Sequence, residues 1–354
     1  MKNFLTALIF IFFSLTLSAQ ASKPKAAQAS KPETPEKNYT FEIELLSGIR
    51  NGVLSEYVYA NSSTNGKQYY LSLLDWDIKN TFYTGLGFKW QYKNFSIDGQ
   101  YKGFFKNSNS GILEDSDWLQ DKYYNTGNTG LKTNYSFHNC TVNTGNVFNL
   151  ETKYEFKIKP FFSILPIIGF SYENFSLSAS NGKIYYGNDE NDVPSGAAGF
   201  LGSYHAYNDT GHNTVTSLSG KMIDLKRKDY YTWLGVQLKF KTPDNRWIFS
   251  LSVYGSPFTY IDSLDDHIDR KVEFNDIGAA VFYAWKGETF AIFRADKNFS
   301  FKLLVDALYT GEIQGLDFSR NYSSNPNAEF KKTGTTTGSS SRFFDVQLSV
   351  ICTF

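Results

Sequence analysis

Two cysteines, Cys140 and Cys352, are the only thiols in 354 residues. So sparse a count gives no disulfide framework and no Cys-rich zinc cluster. Whether the two pair with each other is left open; Cys352, on the apolar face of the last segment, serves there as a small hydrophobe. An excess of charge of one sign is also lacking, since 35 Lys and Arg balance 35 Asp and Glu. With no basic block, nucleic acid has no electrostatic footprint to meet. Long apolar runs are nearly absent. The one run, Phe4 to Leu17, is shorter than the ~20 residues a spanning helix needs, and the mean hydropathy is −0.36. A helical membrane protein is thereby excluded. That run follows Met1-Lys2-Asn3 and precedes Ala19-Gln20-Ala21, an A-x-A cleavage pattern. Residues 1–21 therefore read as a secretory signal peptide. The sequence has no G-x-S-x-G, and its Cys/His spacing fits neither a cysteine protease nor a metal centre.

Aromatic residues, in contrast, make up 18% of the chain, an excess that the aromatic girdles of a membrane barrel would explain. Residues 22–38 are Pro/Ala/Lys-rich and read as a disordered tail. From Tyr39 the hydrophobic period is two. Phe344, Val346, Leu348, Val350, Cys352 and Phe354 alternate with Asp345, Gln347, Ser349, Ile351 and Thr353, and the segments from Phe95, Trp247 and Phe299 repeat the pattern. Apolar residues toward lipid and polar ones toward a lumen give this alternation, and only a closed barrel satisfies every strand edge in lipid. Short connections at 93–94, 159–160, 242–245 and 295–298 alternate with long ones near 61–67, 107–142, 188–219, 262–270 and 314–342. Residues 39–354 are thus expected to be all-β: a ten-stranded antiparallel transmembrane β-barrel. Its strands lie near 39–60, 68–92, 95–106, 143–158, 163–187, 220–241, 246–261, 271–294, 299–313 and 343–354. Several exceed the ~9–11 residues that cross a bilayer, so the barrel should project beyond the membrane on its long-loop, extracellular side.

Two acidic clusters about 150 residues apart fall on that side. Asp115 and Asp117, within Glu114-Asp115-Ser116-Asp117-Trp118, have i,i+2 spacing and share one face of extended backbone. Held close, they titrate as a coupled pair that can hold a proton or position a water. A solvated acidic loop or a calcium site built from Glu114, Asp115, Asp117 and Asp121 is the plainer reading, although the spacing matches no EF-hand loop. Asp265 and His267 have the same spacing. A carboxylate orients an imidazole and stabilises its protonated form, so that it can take a proton from water. The plainer reading is a surface ion pair in a loop that also holds Asp262, Asp266 and Asp269. The other histidines, His138, His205 and His212, lie in Asn/Gly/Thr-rich stretches without an acid partner and are expected to face solvent.

These residues in this order resemble the omptin family, outer-membrane endopeptidases on ten-stranded barrels. Leu46-Ser47-Gly48, Glu56-Tyr57-Val58-Tyr59 and Leu74-Asp75-Trp76 resemble its first strands; Asp115-Ser116-Asp117-Trp118 and Asp265-Asp266-His267 match its D-x-D-W and D-x-H segments. The resemblance covers residues 40–354. It implies peptide hydrolysis by an activated water at the exterior mouth of a barrel in the bacterial outer membrane, acting on polypeptides at the cell surface. His267 would be the general base, Asp265 its orienting acid, and Asp115 and Asp117 the holders of water and oxyanion. No metal or covalent intermediate is implied. Cleavage beside basic residues is implied by Glu56, which matches one of two acids in the family's substrate pocket. The second acid is replaced by Ser263, with Asp262 adjacent as a substitute whose facing is reversed on a strand. The family's lipopolysaccharide-binding Tyr-x-Glu-x-Arg stretch aligns with Phe170-x-Tyr172-x-Asn174, with Glu173 adjacent. Activation by lipopolysaccharide is therefore unsupported by pattern, leaving outer-membrane lipid as a general partner. A catalytically silent adhesin or a small porin on the same barrel would lack converging clusters or would keep an open lumen.

Overall fold

The computed structural model describes residues 39–61, 68–119, 130–187 and 205–354. The signal segment 1–21, the tail 22–38 and Asp121 lie outside the described residues. Thirteen strands follow in order: β1 Tyr39–Asn61, β2 Gln68–Tyr92, β3 Phe95–Phe104, β4 Asn107–Asp117, β5 Asn134–Tyr154, β6 Phe156–Lys159, β7 Phe162–Tyr186, β8 Thr214–Lys241, β9 Trp247–His267, β10 Val272–Ala280, β11 Ala284–Arg294, β12 Phe299–Asn321 and β13 Lys331–Thr353. Every pairing is antiparallel, and β1 pairs with both β2 and β13, so the sheet closes. Three interruptions divide single staves: β3 and β4 both pair β2 and β5, β10 and β11 both pair β9 and β12, and β6 continues β5 along β7. The ring therefore has ten staves, as the alternating pattern predicts.

Outward apolar side chains concentrate toward the short-turn end. On β13, Phe344, Val346, Leu348 and Val350 are exposed while Phe343, Asp345, Gln347 and Ser349 are buried inside. On β12 the exposed series Phe299, Phe301, Leu303 and Tyr309 spans about the ~9–11 residues a tilted strand needs to cross lipid. Above this belt the outer face becomes polar, as at Lys228 and Asp262, and the strands run on.

The upper boundaries differ from those read in the sequence for this reason. The expected loop 107–142 contains β4 and the first half of β5; the expected loop 262–270 begins with the end of β9; β8 starts at Thr214, and β12 and β13 reach Asn321 and Lys331. Outside lipid, both faces of a strand can carry polar residues, so hydrophobic alternation fades although the backbone ladder continues. Both acidic clusters accordingly sit on strands rather than loops.

A buried network of charged side chains spans the lumen midway. Arg50 on β1 forks onto Asp345 of β13 at 2.7 and 2.9 Å and reaches across to Glu173 of β7 at 3.0 Å. Its guanidinium carbon lies 5.2, 5.6 and 4.5 Å from the ring centres of Phe104, Phe175 and Phe343. Lys102 of β3 adds bonds to Asp345 at 3.1 Å and Asp306 at 3.5 Å. Glu173 thus faces inward, away from the outer surface bearing Phe170 and Tyr172. Removing one partner of a buried ion pair strands the other's charge and costs ~3–5 kcal/mol. Arg50→Met should therefore lower the urea midpoint of the refolded barrel in detergent; an unchanged midpoint would show the network to be energetically idle.

Candidate active site

At the upper end, the two clusters project into the mouth from opposite walls. β4 and β9 lie four staves apart in the ring of ten. Asp115 and Asp117 lie on β4 opposite Ser136 and Asn134 of β5, and opposite Leu74 and Ser72 of β2. The period-two backbone turns both carboxylates inward and sends Glu114 outward, where it accepts a 2.6 Å bond from the Tyr135 hydroxyl. Glu114 therefore does not join the pair in a calcium site. Ser72 donates to Asp115 at 3.2 Å. Burial first, then the Asp117 charge, holds the Asp115 carboxyl well above the usual range. Burial also raises Asp117, against the relief given by Ser72 and the Arg270 charge. Burial and mutual repulsion thus make a pair that favours holding one proton between them.

Across the mouth, Asp265 and His267 project inward from the end of β9, both buried. Asp265 Oδ2 lies 2.7 Å from His267 Nε2. The second carboxylate oxygen of Asp265 is buried without a hydrogen-bond partner, so this carboxylate is spent almost wholly on the imidazole. The other ring nitrogen, Nδ1, faces the Arg270 guanidinium. Arg270, in the turn after β9, also acts electrostatically on both Asp115 and Asp117. It occupies the space between the clusters, a position that the sequence reading missed. Asp265 in turn acts on Asp115, and His267 on Asp117, so the two pairs share one electrostatic site.

Below the pair lies a second acidic group. Glu56 of β1 accepts from Ser263 at 2.6 Å and from the Trp76 indole at 3.0 Å. Burial, then the Asp265 charge, pushes its carboxyl up to about 7. Asp262 does not join it. It faces outward beside Lys228, 4.0 Å away, because one step along β9 reverses the side chain. The acid that does approach is Asp276, directly opposite Ser263 in the β9–β10 register. Thr337 donates to it at 2.5 Å. Burial and then the Glu56 charge raise it well above the usual carboxylate range. Asp276 was invisible in the sequence because its relation to Ser263 is one of strand register, not of chain spacing.

His138 departs from expectation. It is buried on β5, 3.0 Å from Ser136 and 3.1 Å from the carbonyl of Asn181, and burial lowers its pKa. A bulge between Ser180 and Gly182 aims that carbonyl; Gly182 has φ +132°, and a Cβ there would meet Phe137 O at 2.0 Å. His205 does have an acid partner, Asp209, at 3.5 Å. Both cysteines are free thiols, Cys140 buried on β5.

The fold is a closed barrel of ten staves, with paired carboxylates facing a histidine across its mouth, and its family places it in the class of outer-membrane proteases. The family model of the omptins matches residues 37–342, and the chain belongs to the omptin family. Among solved structures it is similar to the outer membrane protease OmpT from Escherichia coli, with a TM-score of 0.72 at 17% identity, over 91% of this chain and 98% of that one. The outer membrane protein OprG from Pseudomonas aeruginosa matches at a TM-score of 0.28 and 9% identity, over 88% and 95%. No curated protein matches by sequence.

Proposed function

We propose that the protein is an endopeptidase of the cell surface, cutting polypeptides beside basic residues with a water activated by His267. The observation that carries this reading is the buried 2.7 Å Asp265–His267 contact facing the raised Asp115–Asp117 pair. The water sits between the two walls. His267 takes its proton as the oxygen attacks the scissile carbonyl, and Asp265 stabilises the imidazolium that forms. The aspartate pair, holding one proton, donates a hydrogen bond to the developing oxyanion. The imidazolium then returns its proton to the leaving amine, and the products are a carboxylate and a free amine. Arg270 must swing aside for substrate, which its exposed position allows. Glu56 and Asp276 receive the basic side chain. The buried ion pairs that cross the lumen oppose a porin reading, and the converging pairs at the mouth oppose a silent adhesin.

The inward Glu173 leaves Phe170, Tyr172 and Asn174 without an outward carboxylate among them, which favours activity independent of lipopolysaccharide. The test is digestion of a peptide library by refolded protein, with and without added lipopolysaccharide. Cuts next to Arg or Lys should occur in both, and Asp115→Asn should remove them while circular dichroism stays that of a barrel. Library peptides left intact by wild type under both conditions would reject the assignment.

A further inference from the structure

We propose that the turn carrying His205, Asp209 and His212 is a divalent transition-metal site of the Zn2+ class, standing beside the catalytic rim. The donor atoms of the three side chains lie within 4.8 Å of one another, and they form the only such group of three among the described residues. Two imidazoles and a carboxylate are a donor set that suits Zn2+ and its borderline neighbours rather than Ca2+ or Mg2+.

The turn is shaped by its own backbone. Asp209 N donates to Ala206 O at 2.9 Å and His212 N to Asp209 O at 3.0 Å. Gly211 N donates to Asp209 Oδ1 at 3.2 Å, leaving Oδ2 toward His205 Nδ1 at 3.5 Å. The two imidazoles stack with centres 4.0 Å apart and planes 8° from parallel. Tetrahedral ligands with bonds of ~2.0–2.1 Å stand about 3.3 Å from each other. Stacked rings keep their lone pairs in separate parallel planes, so metal binding must unstack them; the side chains are half-buried or exposed, which leaves room for both rings to rotate, with the fourth position left to water.

The place of this turn gives the site a consequence. His205 N donates to Gly187 O at 2.6 Å, Gly187 N to Thr133 O at 2.8 Å and Thr133 N to Asp117 O at 2.8 Å. A ladder of backbone bonds therefore runs from the proposed ligand to the rim aspartate. Tyr207 N donates to Lys132 O at 3.0 Å, and the Lys132 ammonium lies 5.8 Å from the ring centre of Trp118, next to Asp117. An ion that fixes the turn also fixes the end of the stave that holds Asp117.

The test is a Zn2+ titration of the refolded full-length barrel, stripped with chelator, against a chromophoric competitor. One equivalent should bind to wild type and to His267→Ala, which controls for capture at the catalytic rim. Binding should weaken about tenfold or more in His205→Ala and in His212→Ala. Hydrogen exchange at the amides of Thr133 and Gly187 should slow severalfold with Zn2+ in wild type and not in His212→Ala. Equal affinity in wild type and both loop variants, or loss of binding in His267→Ala alone, overturns the site. Binding that leaves exchange at Thr133 and Gly187 unchanged overturns its link to Asp117.

Discussion

His267→Ala should lower kcat about 10^2- to 10^4-fold, the range that a positioned general base contributes. KM should change little, because the imidazole acts on water and not on the substrate's side chains. Asp265→Asn should follow in the same direction. It keeps the shape of the 2.7 Å contact with Nε2 but removes the charge that stabilises the imidazolium. The two losses should not add, since both residues serve one proton transfer. The measurement is initial rates on a quenched fluorogenic peptide with one internal Arg, for each single variant and the double. A His267→Ala enzyme that turned over like wild type would place the base elsewhere in the mouth.

The second large effect concerns the substrate's basic residue. Glu56→Gln and Asp276→Asn each remove one carboxylate from a buried pair, and truncating one side of a buried charge contact costs ~2–5 kcal/mol. That corresponds to a fall in kcat/KM on Arg peptides of about thirtyfold to a few thousandfold. Peptides with a neutral residue at the same place should be affected far less. Asp262→Ala, on the outer face beside Lys228, is the control and should leave both substrates unchanged. pH adds a separate mark. Glu56 is pushed up to about 7 by burial and by Asp265, so it is largely protonated at pH 6 and largely ionised at pH 8. KM for Arg peptides should therefore fall as pH rises through 7, and Glu56→Gln should flatten that profile. Stability moves the other way. The folded-state value stands above the ~4.3 of an unfolded glutamate, so the empty barrel is favoured at low pH and loses that advantage as pH rises through about 7. A bound guanidinium opposes the loss.

Much of this was legible in the chain itself, and the parts that were not share one physical origin. In the lower half the bilayer imposes apolar outside and polar inside, which makes Phe344 to Val350 readable residue by residue. Above the belt water lies on both sides, the alternation blurs, and β4 with the upper half of β5 looked like an Asn/Gly/Thr-rich loop. His138 was misread there for the same reason. Asp115, Asp117, Asp265 and His267 were visible because each pair is local, at i,i+2. Glu56 was visible only through resemblance. Asp276 and Arg270 were not visible, because what recruits them is register across β9–β10 and the reach of a turn, neither of which leaves a spacing in the sequence.

The bridge of Arg50 to Asp345 and Glu173, wedged among three phenylalanine rings, bears on more than stability. Many barrels of this membrane exist to let solutes through. Here buried, ion-paired side chains cross the midline where a channel would hold a column of water, so a solute passing through the barrel would have to break them.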